Sequence, residues 1–334
     1  MKCPFCDSEF DVAAVLDEIG DKLDEDSIEW GAAKKERINT DDNGDALVTY
    51  ICNSCGGEIV CDKNTAASSC PFCGNQVVIS QNVSGMLKPD LVLPFKLDKK
   101  AAKDALTNYY KGKKLLPDSF SEENRIDEIK GVYVPFWLYS CEADVDLRYH
   151  ATRNRFWSDA KFNYHETSHY RVIRSGTLDF DKVPVDGSAK MANDIMESIE
   201  PFDYSSAVDF KTAYLSGFFA DKYDISAEDC ENRANERIKN STSAAFASTV
   251  LGFSSVIPEQ SSIKVRGGEV SYALLPVWML TTTFDGQKYT FAMNGQTGKF
   301  VGDLPVDKGK YWKYFALISS ITAACVFLAT LFIM

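Results

Sequence analysis

The sequence predicts an α+β protein made of an N-terminal zinc ribbon, a duplicated α+β domain rich in antiparallel strands, and a C-terminal transmembrane helix. Three observations predict it. Two Cys-x-x-Cys-Gly knuckles are spaced to share one metal, two Pro-x-Trp strand runs recur along the chain, and the last 21 residues carry no charge.

The chain has 334 residues, enough for two or three small domains. An apolar fraction of 45% with 12% aromatics is that of a folded protein. The net charge of -12 repels phosphate and argues against broad electrostatic binding to nucleic acid. Seven of the ten cysteines fall in the first 73 residues, with three Cys-x-x-Cys pairs among them, a spacing that suits chelation better than a disulfide framework. Thiolate ligands require a reducing compartment, so the bulk of the chain is expected in the cytoplasm. Met1-Lys2 leads straight into Cys3-Pro4-Phe5-Cys6, with no secretory leader.

Residues 1–46 hold an orphan knuckle and an acidic segment. In that segment Val15, Ile19 and Leu23 recur every four residues and predict a short helix. Cys3 and Cys6 supply only two of four ligands. They are metal-free, share zinc across a dimer, or have lost an upstream mate.

Residues 47–80 form the ribbon. The two knuckles are Cys52-Asn53-Ser54-Cys55-Gly56 and Cys70-Pro71-Phe72-Cys73-Gly74, with 14 residues between Cys55 and Cys70. Each knuckle presents two thiolates on one side, and the glycine after the second cysteine permits the tight backbone. Together Cys52, Cys55, Cys70 and Cys73 complete a tetrahedral site with no open position, which makes the Zn²⁺ structural. Metal binding of ~10–16 kcal/mol can order a segment too small for its own core. Cys61, between the knuckles, reads as a spare thiol. The segment contains Glu58, Asp62 and Lys63 and no arginine, so it lacks the basic face of a phosphate binder. A protein contact is the expected role.

Residues 87–304 read as the duplicated domain. Leu91-Val92-Leu93-Pro94-Phe95 predicts a short strand, and Asp98 caps a helix with Ala102, Ala105, Leu106 and Tyr109 on one face. The run Val132 to Tyr139 and the sequence to about Phe180 are strand-like. Lys182-Val183-Pro184-Val185 then precedes a second capped helix predicted near Ser188, and Leu274 to Leu280 echoes the first Pro-x-Trp strand. The second copy carries an inserted helix opening with the capping-box pattern Ser226-Ala227-Glu228-Asp229. Asp285-Gly286 and Asn294-Gly295 predict hairpin turns, in which glycine accepts a positive φ.

Residues 311–334 predict the membrane span. Tyr314 to Met334 would extend about 31 Å as a helix, enough for a hydrocarbon core. Tyr311, Trp312 and Tyr314 form an aromatic belt, and Lys308, Lys310 and Lys313 place the preceding chain on the cytoplasmic side, giving a single-pass cell-membrane protein. Ser319, Ser320, Thr322 and Thr330 are tolerable there because hydroxyls bond back to the preceding turn.

His165-Glu166-Thr167-Ser168-His169 fits the His-Glu-x-x-His pattern of zinc peptidases, which works only on a helix. Its neighbours, Phe162-Asn163-Tyr164 and Tyr170-Arg171-Val172-Ile173, favour a strand, where positions four apart lie about 13 Å from each other. No Walker loop, nucleophile elbow or Rossmann fingerprint occurs. No catalytic activity is expected. The alternatives are a membrane-tethered nucleic-acid-binding regulator and a metallopeptidase.

Cys52 to Gly56 and Cys70 to Asn75 resemble bacterial proteins described as containing a TFIIB-type zinc ribbon, a group often labelled primosomal helicase-like. Leu87-Lys88-Pro89-Asp90 through Pro94-Phe95-Lys96, Gly131 to Trp137, and Pro184-Val185-Asp186-Gly187-Ser188 extend the resemblance over most of the chain. It implies a membrane adaptor that recruits a flotillin-like SPFH protein in a phage-shock-like envelope-stress response. Relatives carry a further knuckle upstream of the one matching Cys3 to Cys6.

Overall fold

The computed structural model describes residues 27–31, 47–62, 70–73, 75, 78–82, 87–120, 122, 126 and 128–333. Cys3, Cys6, Gly74 and the acidic helix expected around Val15, Ile19 and Leu23 lie outside the described residues. The fold is mixed α+β, with a large sheet and one apolar C-terminal helix. Contacts divide it into two units, each discontinuous in sequence. One gathers the described residues among 1–32, 139–183 and 231–270, the other the described residues among 33–138, 184–230 and 271–334.

The second, larger unit begins with a three-stranded piece. β2 (Leu47–Ile51) pairs antiparallel with β3 (Glu58–Asp62) and with β4 (Val78–Asn82). β3 then joins β9 (Phe219–Asp221), and β9 lies parallel to the start of β6 (Lys130–Ser158). β5 (Leu91–Val92) lies between β8 (Val208–Asp209) and β10 (Ser255–Phe284). β10 turns back into β11 (Gln287–Asn294), which pairs with β12 (Phe300–Gly302).

Burial explains the strands. From Gly131 to Tyr139 almost every side chain is buried on both faces, and the same holds from Tyr272 to Leu280. Such runs read as continuously apolar because a sheet covered on both sides has no polar face.

Helix α1 (Lys99–Tyr110) starts where predicted, with the Asp98 carboxylate accepting from Ala101 N at 2.8 Å. Ala102, Leu106 and Tyr110 are buried, with Ala105 and Tyr109 packed beside them. The helix expected near Ser188 starts later, as α2 (Asn193–Ser198), with Ala192 at its cap and no side-chain capping bond. Ser188 is drawn away because its hydroxyl donates to the buried Asp221 carboxylate at 2.5 Å. Helix α3 (Ala227–Ala247) opens on the predicted box, Asp229 N donating to Ser226 Oγ at 3.1 Å and Ser226 Oγ to Asp229 Oδ2 at 2.7 Å.

Two sets of contacts in this unit have the same form. Gly187 N donates to Pro135 O, and Gly295 N to Pro276 O. The Gly187 carbonyl accepts from Asp224 N and Ile225 N, and the Gly295 carbonyl from Lys96 N and Leu97 N. Trp137 Nε1 donates to Ile225 O at 2.9 Å, and Trp278 Nε1 to Leu97 O at 3.0 Å. Trp137 meets Tyr223 edge-on at 5.2 Å, and Trp278 meets Phe95 edge-on at 5.2 Å. Phe95-Lys96-Leu97-Asp98 therefore corresponds to Tyr223-Asp224-Ile225-Ser226. Helix α1 follows the first of these turns and α3, expected from sequence as an insertion, follows the second.

Asp285 and Gly286 form the predicted two-residue turn, with φ of 51° and 75° between paired Phe284 and Gln287. At Asn294-Gly295 the expectation needs correcting. The positive φ of that turn falls on Gly298, at 77°. Gly295 is required for space, since a Cβ there would lie 2.6 Å from the Phe95 ring and 2.9 Å from Pro276 Cβ.

The first, smaller unit contains the outer part of β6, β7 (Asn163–Asp186) paired to it, most of α3 and the early part of β10. β1 (Ser27–Trp30) runs parallel to β10 from Lys264 to Gly268. From Cys141 to Ala151 every second residue of β6 is buried, and these residues share a core with Ile238, Ile263 and Val265.

Candidate metal centre and membrane helix

The knuckles are shaped by backbone hydrogen bonds before any metal acts. Cys52 O accepts from Gly56 N at 2.8 Å, which closes the first turn, and Gly56 takes a φ of 72° that a Cβ would strain. Cys52 N donates to Gly57 O at 2.9 Å, and Cys70 N to Asn75 O at 2.7 Å. Asn75 Nδ2 donates to Ser54 Oγ at 2.6 Å and ties the knuckles together. Pro71 O accepts from Thr281 Oγ1 at 3.2 Å, fixing the second knuckle to β10.

These turns bring together all four cysteines the sequence singles out. The sulfurs of Cys52, Cys55, Cys70 and Cys73 lie within 4.8 Å of one another, and none is in a disulfide. Cys52 and Cys73 approach to 3.4 Å, and Cys55 and Cys70 to 3.7 Å. A tetrahedron of sulfurs at zinc–thiolate bond length has edges of about 3.8 Å, so shifts of about 1 Å or less would close the donor set around one four-coordinate ion. Cys52 and Cys70 are buried and Cys55 is exposed. Burial opposes ionisation of Cys52. The amides of Cys55 and Ser54, with the neighbouring sulfurs, outweigh it and bring this thiol to about 7. Burial pushes Cys55 and Cys70 up, so both would release protons to a metal.

Residues outside the Cys pattern complete the surroundings. Lys190 Nζ lies 5.6 Å from the Phe72 ring centre, bonds Asp221 Oδ1 at 2.9 Å, and lies 3.4 Å from Asp224 Oδ2. Burial raises the Asp221 carboxyl to about 6 against the pull of Lys190 and Ser188. Lys130 feels the Cys70 sulfur, although burial lowers its own pKa. A four-thiolate zinc site would carry about two negative charges, which the half-buried Lys130 would partly offset, whereas Lys190 is paired with Asp221 and Asp224. Neither lysine stands in a metal-binding pattern, so the sequence gives no signal for them. Ile59 and Val60, between the knuckles, pair with Asp221 and Ala220. The centre is thereby attached to the sheet.

Helix α4 (Lys308–Ile333) is the one helix among the described residues long and apolar enough to cross a membrane, and its Lys308–Ala329 window is not buried in the protein. Its base is fastened to the larger unit. Asp307 N donates to Leu115 O at 2.8 Å, and Lys310 Nζ reaches Leu116 O at 2.7 Å and Asp118 Oδ1 at 2.6 Å. Ser320 Oγ and Thr322 Oγ1 bond the carbonyls of Ala316 and Ile318 at 2.8 and 2.9 Å, as expected of hydroxyls in an apolar helix.

The His-Glu-x-x-His run lies in β7, a strand as its neighbours predict. Its imidazoles have different partners. His169 Nδ1 lies 2.9 Å from His150 Nε2, while His165 stacks on Phe156 at 4.4 Å.

A protein of Bacillus subtilis (strain 168), described as "Uncharacterized protein YdjG", is 34% identical to this chain over 334 residues, spanning 85% of this chain and 98% of the relative. No family model and no solved structure matches the chain.

Proposed function

This chain belongs to the YdjG family, and on that premise we propose that it is a membrane-anchored, cytosol-facing zinc-ribbon adaptor that recruits partner proteins and has no catalytic activity. The observation that carries the reading is the closed set of four sulfurs on a chain that ends in an unburied apolar helix. Four thiolates leave no coordination position for a water or substrate, so the metal stabilises the ribbon. The ribbon is read as TFIIB-type on its two knuckles. The two matching sets of Trp, Gly and Pro contacts support a duplicated α+β body behind it. The lysines before the span orient that body toward the cytoplasm in a single-pass topology.

The partner is a protein, of the flotillin-like SPFH or phage-shock class by the family resemblance. The acidic chain and the arginine-free ribbon disfavour nucleic acid. Affinity purification of the full chain from mild detergent, with identification of co-purifying proteins, tests the adaptor role. Submicromolar, sequence-dependent binding to DNA or RNA near physiological salt would replace it with the regulator reading.

A further inference from the structure

The hairpin of β6 and β7 runs out into solvent. From Arg153 to Thr167 every residue is exposed, on both faces of the ladder and at the turn. A two-stranded ribbon exposed on both sides is marginal in water, and such positions are ordinarily polar. Here Phe156 and Phe162 are 70% and 62% exposed, and Trp157 and Tyr164 are exposed as well.

The aromatics are held in rungs across the strands. Phe156 stacks on His165 at 4.4 Å and Trp157 on Tyr164 at 5.3 Å, the two rungs lying on opposite faces of the ribbon because adjacent residues alternate. The Arg155 guanidinium sits over Trp157 at 5.1 Å. Asp159 organises the turn. Its carboxylate accepts from Lys161 N, Phe162 N and Tyr164 Oη at 2.8, 2.7 and 2.8 Å, so its charge is engaged within the turn. In a chain of net charge -12, residues 153–167 hold Arg153, Arg155 and Lys161 against Asp159 and Glu166, while Arg171, further along β7, is paired with Glu259 at 4.0 Å.

We propose that this hairpin inserts its tip into the headgroup region of an anionic bilayer, as a second membrane contact besides α4. A partner protein docking on one face of the ribbon would leave the other face's aromatic rung in water. A bilayer interface surrounds both faces and the turn. Trp and Tyr with Arg and Lys is the composition of interfacial anchors, and the positive charge complements anionic lipid. The inference rests on the membrane-anchor reading of α4, because a tethered chain meets the lipid surface at high local concentration.

The test uses the full chain reconstituted in phosphatidylcholine vesicles with and without phosphatidylglycerol, containing lipids brominated near the carbonyl end. Trp157 emission is taken as the difference between wild type and Trp157→Phe. Bromolipid should quench it at least about twofold in anionic vesicles, and much less in zwitterionic ones. Arg155→Glu with Lys161→Glu should abolish the quenching while leaving the thermal melt unchanged. Removing two basic contacts lowers occupancy of the inserted state by about 30-fold. Absence of quenching, equal quenching in both vesicle types, or quenching by single-stranded oligonucleotide in place of bromolipid would overturn the inference. Carbonate washing of the same vesicles reads α4 separately. A washed-off chain whose Trp157 is quenched before the wash sinks the helix reading alone. A retained chain with unquenched Trp157 sinks the hairpin alone.

Discussion

Replacing single thiolates tests the metal centre most directly, and Cys70→Ser and Cys55→Ser should not behave alike. Zinc binding of ~10–16 kcal/mol spread over four ligands is about 2.5–4 kcal/mol per thiolate, a loss of roughly 10²–10³ in affinity for either variant. Their second effects differ. Cys55 is exposed, so a serine there keeps its hydroxyl in water, whereas Cys70 is 1% exposed. Burying a hydroxyl without a full partner costs about 1–3 kcal/mol more, paid only by Cys70→Ser. That knuckle is also the one fastened to β10 through Pro71 and Thr281. Competition with a chromophoric chelator on the detergent-solubilised full chain measures the first effect, and thermal unfolding in saturating zinc measures the second. Both variants should bind zinc more weakly, and Cys70→Ser should melt clearly lower even when loaded. Stoichiometric zinc of unchanged affinity in both variants would refute the four-thiolate site. Equal melting would refute the burial argument.

Acidification should release the metal. The raised thiols of Cys55 and Cys70 mean that at least two protons leave on binding, so apparent affinity should rise at least ~100-fold from pH 7 to pH 8 in buffered zinc titrations; a flat profile contradicts this. Gly295→Ala should destabilise by about 1–3 kcal/mol through overpacking against Phe95, and Gly286→Ala by about 1–2 kcal/mol through its left-handed backbone. Adding Phe95→Leu should offset part of the first and none of the second, read as coupling in a denaturation cycle. Ile321→Arg with Val326→Arg should cost about 5–7 kcal/mol of insertion and make the chain extractable by carbonate, and continued resistance would show that α4 is not the anchor.

Elements governed by local chemistry were legible in the sequence. The caps at Asp98 and Ser226 depend on residues within three positions, and the knuckles on Cys-x-x-Cys-Gly geometry. The strand around His165 follows from its aromatic and β-branched neighbours. What sequence reasoning missed depends on distant partners. Ser188 has the composition of a helix cap, yet its hydroxyl is committed to Asp221 on β9, which moves the helix start to Asn193. Gly295 looked like a residue chosen for its dihedral and is instead a gap left for Phe95, far upstream. Lys130, at the start of β6, and Lys190, in the turn after β7, come near the knuckles only through the tertiary fold. The likeness of the turns ahead of α1 and α3 rests on the carbonyls of Leu97 and Ile225, which no local pattern marks.

The two tryptophans have a mechanical consequence. Each indole is satisfied by a carbonyl just ahead of a helix that lies outside its own stretch of chain: Trp137 precedes the Ile225 turn, and Trp278 follows the Leu97 turn from far downstream. Neither stretch can therefore close its own framework. Cutting the chain between Trp137 and Tyr223 would give two fragments, each with an indole N–H orphaned and an aromatic slot vacant, and each holding the partner that the other lacks. Both latches lie within the larger unit, so each ties a strand to a turn that a distant stretch of chain supplies, and neither forms until both stretches are present.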